Sequence, residues 1–256
     1  RVGIQILAGA GFDPQGMPRF FERLQQEYRY TSTGIPEFLS THPVTLDRIA
    51  DARNRAEQYP AISPPDNFNY RLVKTKLRVL AARNLDVLAR QYRDALAASN
   101  GNDDAADHYG YALILARQHN YAQSRKLLAT LRRADPGRIA YMLALAQVES
   151  EDHRPAAAEQ IYRTGLQLHP NNSLLTLALA EHLLQQGAHA ETTALLREHT
   201  RNRKVAPRAY ELLAEAETRS GNKGIAHIAL ADYYHCLGET QTAIEQLNLA
   251  RLSGGL

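Results

Sequence analysis

Tryptophan is absent from these 256 residues, and cysteine occurs once, at Cys236. A single thiol excludes an internal disulfide, and zinc sites built on cysteine pairs go with it. No apolar run reaches the roughly 18 residues that a membrane-spanning helix needs. The zinc-protease motif H-E-x-x-H is missing, as is any phosphate-cradling glycine-rich loop. Strong charge of one sign is lacking too: the formal charge is +3 and the pI about 9.0. Basic residues are scattered except for Arg201, Arg203 and Lys204, so nucleic acid is not an expected partner. An initiator methionine and a signal-peptide pattern are also absent at Arg1-Val2-Gly3-Ile4, which reads as a piece of a longer chain.

What is present is ordinary for a globular protein, 44% hydrophobic and 22% charged. Its organising feature is a period of 34 residues between Ala105 and Gly238. Ala112, Ala146, Ala180 and Ala214 fall on that spacing. So do Ser124, Ala158, Thr192 and Ala226, and a bulkier series of Leu128, Tyr162, Leu196 and Leu230. Pro136 and Pro170 each close a helix-like run. Small residues recurring in two successive helices let those helices cross closely, while the bulky series fills the space between pairs. A helix pair of this kind cannot bury its apolar face alone, so neighbours must stack into a solenoid.

These series resemble the tetratricopeptide repeat (TPR), with Ala105, Ile139, Ser173 and Pro207 as first residues. The chain departs from that pattern in having no tryptophan and in keeping the fourth-position aromatic only at Tyr210. Helices over 69–82 and 85–98 read as a degenerate opening repeat, with Leu72, Leu77 and Leu80 as the apolar face of the first. After Tyr210 the order is open. Gly221 and Gly238 lie 17 apart, so 225–235 is either the second helix of repeat four or the first of a shifted repeat. About eleven helices are expected over 68–256, and the last carries Ile244, Leu247 and Leu249, which cannot all face its predecessor.

Before the repeats, 2–10 reads as the end of an apolar helix. Asp13-Pro14 starts a second, with Met17, Phe20, Phe21 and Leu24 on one face, and a third runs from about Thr45 to Tyr59. Three prolines within 60–67 cannot continue a helix, which places a linker there and a separate domain at 1–59. The pieces Gly3-Ile4-Gln5, Ala10-Gly11-Phe12-Asp13-Pro14, Pro18-x-Phe20-Phe21, Ser40-Thr41-His42-Pro43 and Arg48-Ile49 together resemble the C-terminal part of the family-48 zinc metallopeptidases. That family includes the CAAX prenyl proteases. The resemblance implies that the zinc ligands, two histidines of H-E-x-x-H and a glutamate, lie upstream of Arg1, and that this region alone is inactive and binds no zinc.

The ten histidines include no pair three or four apart, so none forms a one-turn zinc motif. Those in the repeats read as satisfied surface or inter-helix groups, and Glu151-Asp152 as a solvated helix end. His42, in a loop before a helix, is a structural loop residue or a functional one. The family resemblance implies the second, either ligating the metal or steadying charge near it.

By the TPR resemblance, the second, fifth, ninth and twelfth residues of each repeat line a concave groove, Leu174 among the second ones. The fifth and ninth are Tyr109 and Leu113, Leu143 and Gln147, Leu177 and Glu181, and Glu211 and Glu215. The expected fold is all-α, a short helical peptidase remnant followed by a TPR α-solenoid. A family-48 tail joined to TPRs is similar to periplasmic zinc proteases of Gram-negative bacteria. It implies a protein-binding region of such an enzyme, whose partners are the outer-membrane β-barrel assembly machinery and unfolded outer-membrane proteins. The alternative is a TPR scaffold or co-chaperone without proteolysis.

Overall fold

The computed structural model describes residues 2–30, 46–60, 62, 67–98, 105–201 and 205–254, without the side chains of 27–30. His42 lies outside the described residues. Among those residues the chain forms fourteen helices and no strand. They divide into two units, 1–68 and 69–256.

The first unit holds α1 (Val2–Gly9), α2 (Gly16–Tyr30) and α3 (Leu46–Ala56). The α1 helix ends as the sequence demands: Gly11 has φ +76°, and the Phe12 amide reaches back to the Leu7 carbonyl at 2.9 Å. Asp13 then accepts from the Gln15 amide at 3.0 Å and caps the turn into α2. Ile4, Ile49, Ala52 and Ala56 are buried. A Cβ at Gly3 would come 2.8 Å from the Met17 methyl, which would have to move aside. Phe20 departs from the expected face: it is 57% exposed, whereas Met17, Phe21 and Leu24 are half-buried. Spacings of four and then three residues mark the inner stripe here.

The second unit is the expected α-solenoid. Its helices are α4 (Phe68–Ala81), α5 (Leu85–Ala98), α6 (Ala105–Arg117), α7 (Tyr121–Ala134), α8 (Ile139–Glu151), α9 (Pro155–Leu168), α10 (Ser173–Gln185), α11 (His189–Thr200), α12 (Pro207–Arg219), α13 (Lys223–Cys236) and α14 (Thr240–Leu252). The pairs α6/α7, α8/α9, α10/α11 and α12/α13 are the four repeats. Ala112, Ala146 and Ala180 are wholly buried and Ala214 is 3% exposed, while Ser124, Ala158 and Thr192 of the partner helices are wholly buried. The two small series meet: Ser124 Oγ donates to the Ala112 carbonyl at 2.8 Å.

The first helix of each repeat stops in the same way. His119, His153, Gly187 and Gly221 sit 34 apart, all with positive φ, at +60°, +55°, +78° and +82°. In each case the next amide bonds back over five residues, as Asn120 does to Leu115 and Arg154 to Glu149, both at 2.8 Å. This is the Schellman closure, in which the left-handed residue satisfies carbonyls that a helix end leaves orphaned. Gly238 repeats it with φ +81°, ending α13. The α13 helix therefore follows α12 as the second helix of repeat four and ends as the first helices do, packing on both α12 and α14, so both readings of the order after Tyr210 describe it. Ile244, Leu247 and Leu249 of α14 are 47%, 43% and 42% exposed, and only Ala243 and Ala250 are buried.

One helix is not where a stacked repeat would put it. The α4 helix lies along the concave side of the first two repeats. Arg138 at the start of α8 donates to Asn69 at 2.8 Å, and Arg117 at the end of α6 donates to the Val79 carbonyl. Leu72 and Val79 face inward, at 2% and 1% exposure, whereas Leu77 and Leu80 are 60% and 58% exposed, contrary to the sequence reading. Gly110 makes the approach possible. A Cβ there would lie 2.5 Å from the Tyr92 ring and 2.7 Å from the Thr75 methyl.

Candidate functional site

The concave groove is the surface that the helix stacking leaves for a ligand, and α4 divides it. In its first part Tyr109 is only 2% exposed, and Leu72 and Val73 of α4 lie in the same cavity as Tyr109. Leu113 is half-buried beside Val79 and Leu80. These two expected groove residues therefore meet the chain's own helix, not an open face. Burial raises the Tyr109 phenol to about 12, with the neighbouring Tyr141 adding to it.

Beyond α4 the groove opens into a pocket of about 490 Å³. Leu143 and Gln147 of α8 and Leu177 and Glu181 of α10 line it. Gln147 donates to Glu151 at 2.8 Å. Glu181 accepts from Arg208 of α12 at 2.8 Å, and Arg208 also pairs with Glu211 at 2.8 Å. Glu215 pairs with Arg219 on its own helix at 2.6 Å. Four of the expected residues are thus brought together, Glu211 is joined to them through Arg208, and Glu215 is engaged within α12.

The pocket has further walls, of which Leu174 was expected as the second residue of its repeat, whereas Glu151, Tyr162 and His182 were missed. Leu174 is 61% exposed and supplies apolar surface at the mouth. Glu151 lines the pocket and is not simply a solvated helix end. Tyr162 and His182 pack together with ring centroids 5.8 Å apart and planes at 53°. His182 is 3% exposed, and neither ring nitrogen has a hydrogen-bond partner. It is therefore not the satisfied histidine that was expected. The Tyr162 phenol is pushed up to about 12, chiefly by burial and further by Glu181 and Glu151.

A sequence signal for His182 did exist. The tenth residues of the four repeats are Ile114, Val148, His182 and Ala216, and all four are buried. An imidazole stands where the other repeats place hydrocarbon.

No protein-family model matches the chain. The beta-barrel assembly-enhancing protease of Escherichia coli K12 is 33% identical over 250 residues, which is 98% of this chain and 51% of that protein. The protein of the same name in Yersinia pestis is 29% identical over 248 residues, 97% of this chain and 51% of its own length. The putative one of Vibrio cholerae is 34% identical over 226 residues, 87% of this chain and 46% of its own. The chain spans about half the length of these relatives.

Among solved structures, a thermophilic TPR protein of Thermus thermophilus covers 72% of this chain and 98% of its own at 15% identity, with a TM-score of 0.50. The Cut9–Hcn1 assembly covers 81% of this chain and 43% of its own at 13% identity, with a TM-score of 0.51. These two likenesses concern the fold alone, that of a TPR solenoid. In sequence, the chain belongs with the beta-barrel assembly-enhancing proteases, to about half of whose length it corresponds.

Proposed function

We propose that this region is the protein-binding part of a periplasmic zinc endopeptidase that acts in outer-membrane protein assembly and quality control. The observation that carries the reading is the open groove pocket between α8 and α10, on a chain whose relatives are named as proteases that enhance β-barrel assembly. Its partners are then the β-barrel assembly machinery and unfolded outer-membrane proteins. An unfolded chain offers extended backbone and exposed apolar side chains, which Leu143, Leu174 and Leu177 can cover.

Zinc belongs to the complete enzyme in this reading. Among the described residues no three His, Cys, Asp or Glu side chains come together so as to hold a metal ion, so those residues do not fit a zinc site. No hydrolytic step is derived from them. What they contribute is capture: the solenoid holds a client while cleavage is done elsewhere.

The test uses the purified 256-residue chain and a fluorescently labelled, urea-diluted outer-membrane β-barrel protein. Binding should be saturable, and Leu177→Asp should weaken it several-fold by placing a charge in the apolar wall. Added zinc should produce no cleavage. Failure to bind the unfolded client, or zinc-dependent and chelator-sensitive cleavage by this chain, would overturn the assignment of roles.

A further inference from the structure

We propose that the pocket floored by Tyr162 and His182 is a subsite for a basic side chain, arginine or lysine, of an extended polypeptide. The inference rests on the groove reading above and specifies what the groove selects.

Three observations converge on it. The first is charge. Glu151 and Glu181 flank the pocket, and both raise the Tyr162 phenol, which locates their fields at its hydroxyl. Arg208, outside the lining, is shared between Glu181 and Glu211, and Lys76 is the one cation among the described lining residues. One lining cation against two lining carboxylates leaves the site electronegative, and a desolvated wall strengthens that field.

The second is the ring face. A guanidinium or ammonium laid against Tyr162 gains from the aromatic quadrupole while its nitrogens reach the two carboxylates. The same pairing occurs elsewhere in this chain, where the Arg78 guanidinium sits 5.4 Å above the Tyr92 ring.

The third is His182. A buried imidazole with both nitrogens unpartnered costs stability, and hydrocarbon occupies the same position in the other three repeats. The groove therefore holds a polar group that the fold does not use. A neutral ring offers one acceptor and one donor. Both nitrogens are covered in this groove, so an entering group engages them only on displacing the side chains above them.

Three fluorescent twelve-residue peptides, rich in leucine and threonine and identical except for one central arginine, citrulline or glutamate, separate the possibilities. The arginine peptide should bind the wild-type chain about ten-fold tighter than the citrulline one, the weight of one charge-assisted hydrogen bond. The glutamate peptide should bind weakest. Glu151→Gln, at an exposed position, should remove most of the preference for arginine over citrulline. His182→Val copies Val148 of the preceding repeat, so it should fold with a raised melting temperature while weakening the arginine and citrulline peptides alike. Equal affinity for all three peptides, abolished by Leu174→Asp, would overturn the basic subsite and leave the groove reading intact. Binding by none of them would count against the groove itself.

Discussion

Arg197→Ala should cost far more than its position suggests. Arg197 on α11 is about half exposed, and truncating such an arginine ordinarily changes little. Its partner is the reason to expect otherwise. Glu217 on α12 is wholly buried, and its Oε1 accepts from Arg197 Nε at 2.9 Å and from Nη2, while Oε2 accepts from Asn222 at 2.8 Å. Removing Arg197 leaves a desolvated carboxylate held by one neutral amide, which costs about 3 kcal/mol. Removing the carboxylate is a different perturbation, because the arginine left behind still reaches water. The eleventh residue of each repeat is Leu115, Glu149, Leu183 and Glu217, so leucine already fits this place twice. Glu217→Leu should therefore fall within about 1 kcal/mol of wild type, and the double variant should recover most of the loss from Arg197→Ala. Urea unfolding followed by far-ultraviolet circular dichroism measures all three, with attention to an early C-terminal transition, since stacked repeats need not melt together. If Arg197→Ala and Glu217→Leu cost the same, or the double variant is worse than either, Glu217 is not desolvated and the reasoning fails.

Two further outcomes follow from the backbone and from the tyrosines. His153 holds a left-handed conformation that Gly187 and Gly221 hold at the same repeat position, so His153→Gly should stabilise by about 1 kcal/mol and Gly187→Ala should destabilise by a similar amount; opposite signs in thermal melts would refute the shared closure. Tyr109 and Tyr162 stay neutral to about 12 in the folded chain, whereas unfolded tyrosine ionises near pH 10. The folded state then holds more protons above pH 10, so stability is unaffected below it and falls as pH rises from about 10 to about 12. Phenolate absorbance and urea midpoints across that range check it, and a flat stability profile would contradict the burial of these phenols.

The repeat architecture was legible because it is written in volume. Ala112, Ala146, Ala180 and Ala214 mark helix crossings that admit nothing larger, and periodicity alone locates them. The placement of α4 was not legible. Its sequence carries Tyr70, Leu72, Val73, Leu77, Val79 and Leu80, which leaves apolar residues on more than one face, so the inward stripe cannot be chosen from spacing. What chooses it is the gap at Gly110, which lies 35 residues along the chain from Thr75, and only the packed structure reveals that contact. The start of the candidate groove was obscured for the same reason, since Tyr109 and Leu113 were assigned by register to a face that α4 covers.

The polar residues that break the repeat pattern fall into two kinds, and structure is what separates them. Glu149 and Glu217 interrupt an apolar series, but each is met by an arginine from the preceding helix, Arg125 at 2.8 Å and Arg197 at 2.9 Å. Their charge is used within the fold, holding one repeat to the next. His182 interrupts the neighbouring series one position earlier, and no side chain comes to meet it. Both breaks look alike in the sequence, as a polar letter in a hydrophobic column. A solenoid can tolerate the first kind anywhere along its length, because each clamp is local to one interface. The second kind persists at a stability cost wherever it stands, and it stands under the one stretch of groove that α4 leaves open between α8 and α10. That coincidence of an unused polar group with the open pocket is why the groove, and not the convex surface, is where a client is expected to bind.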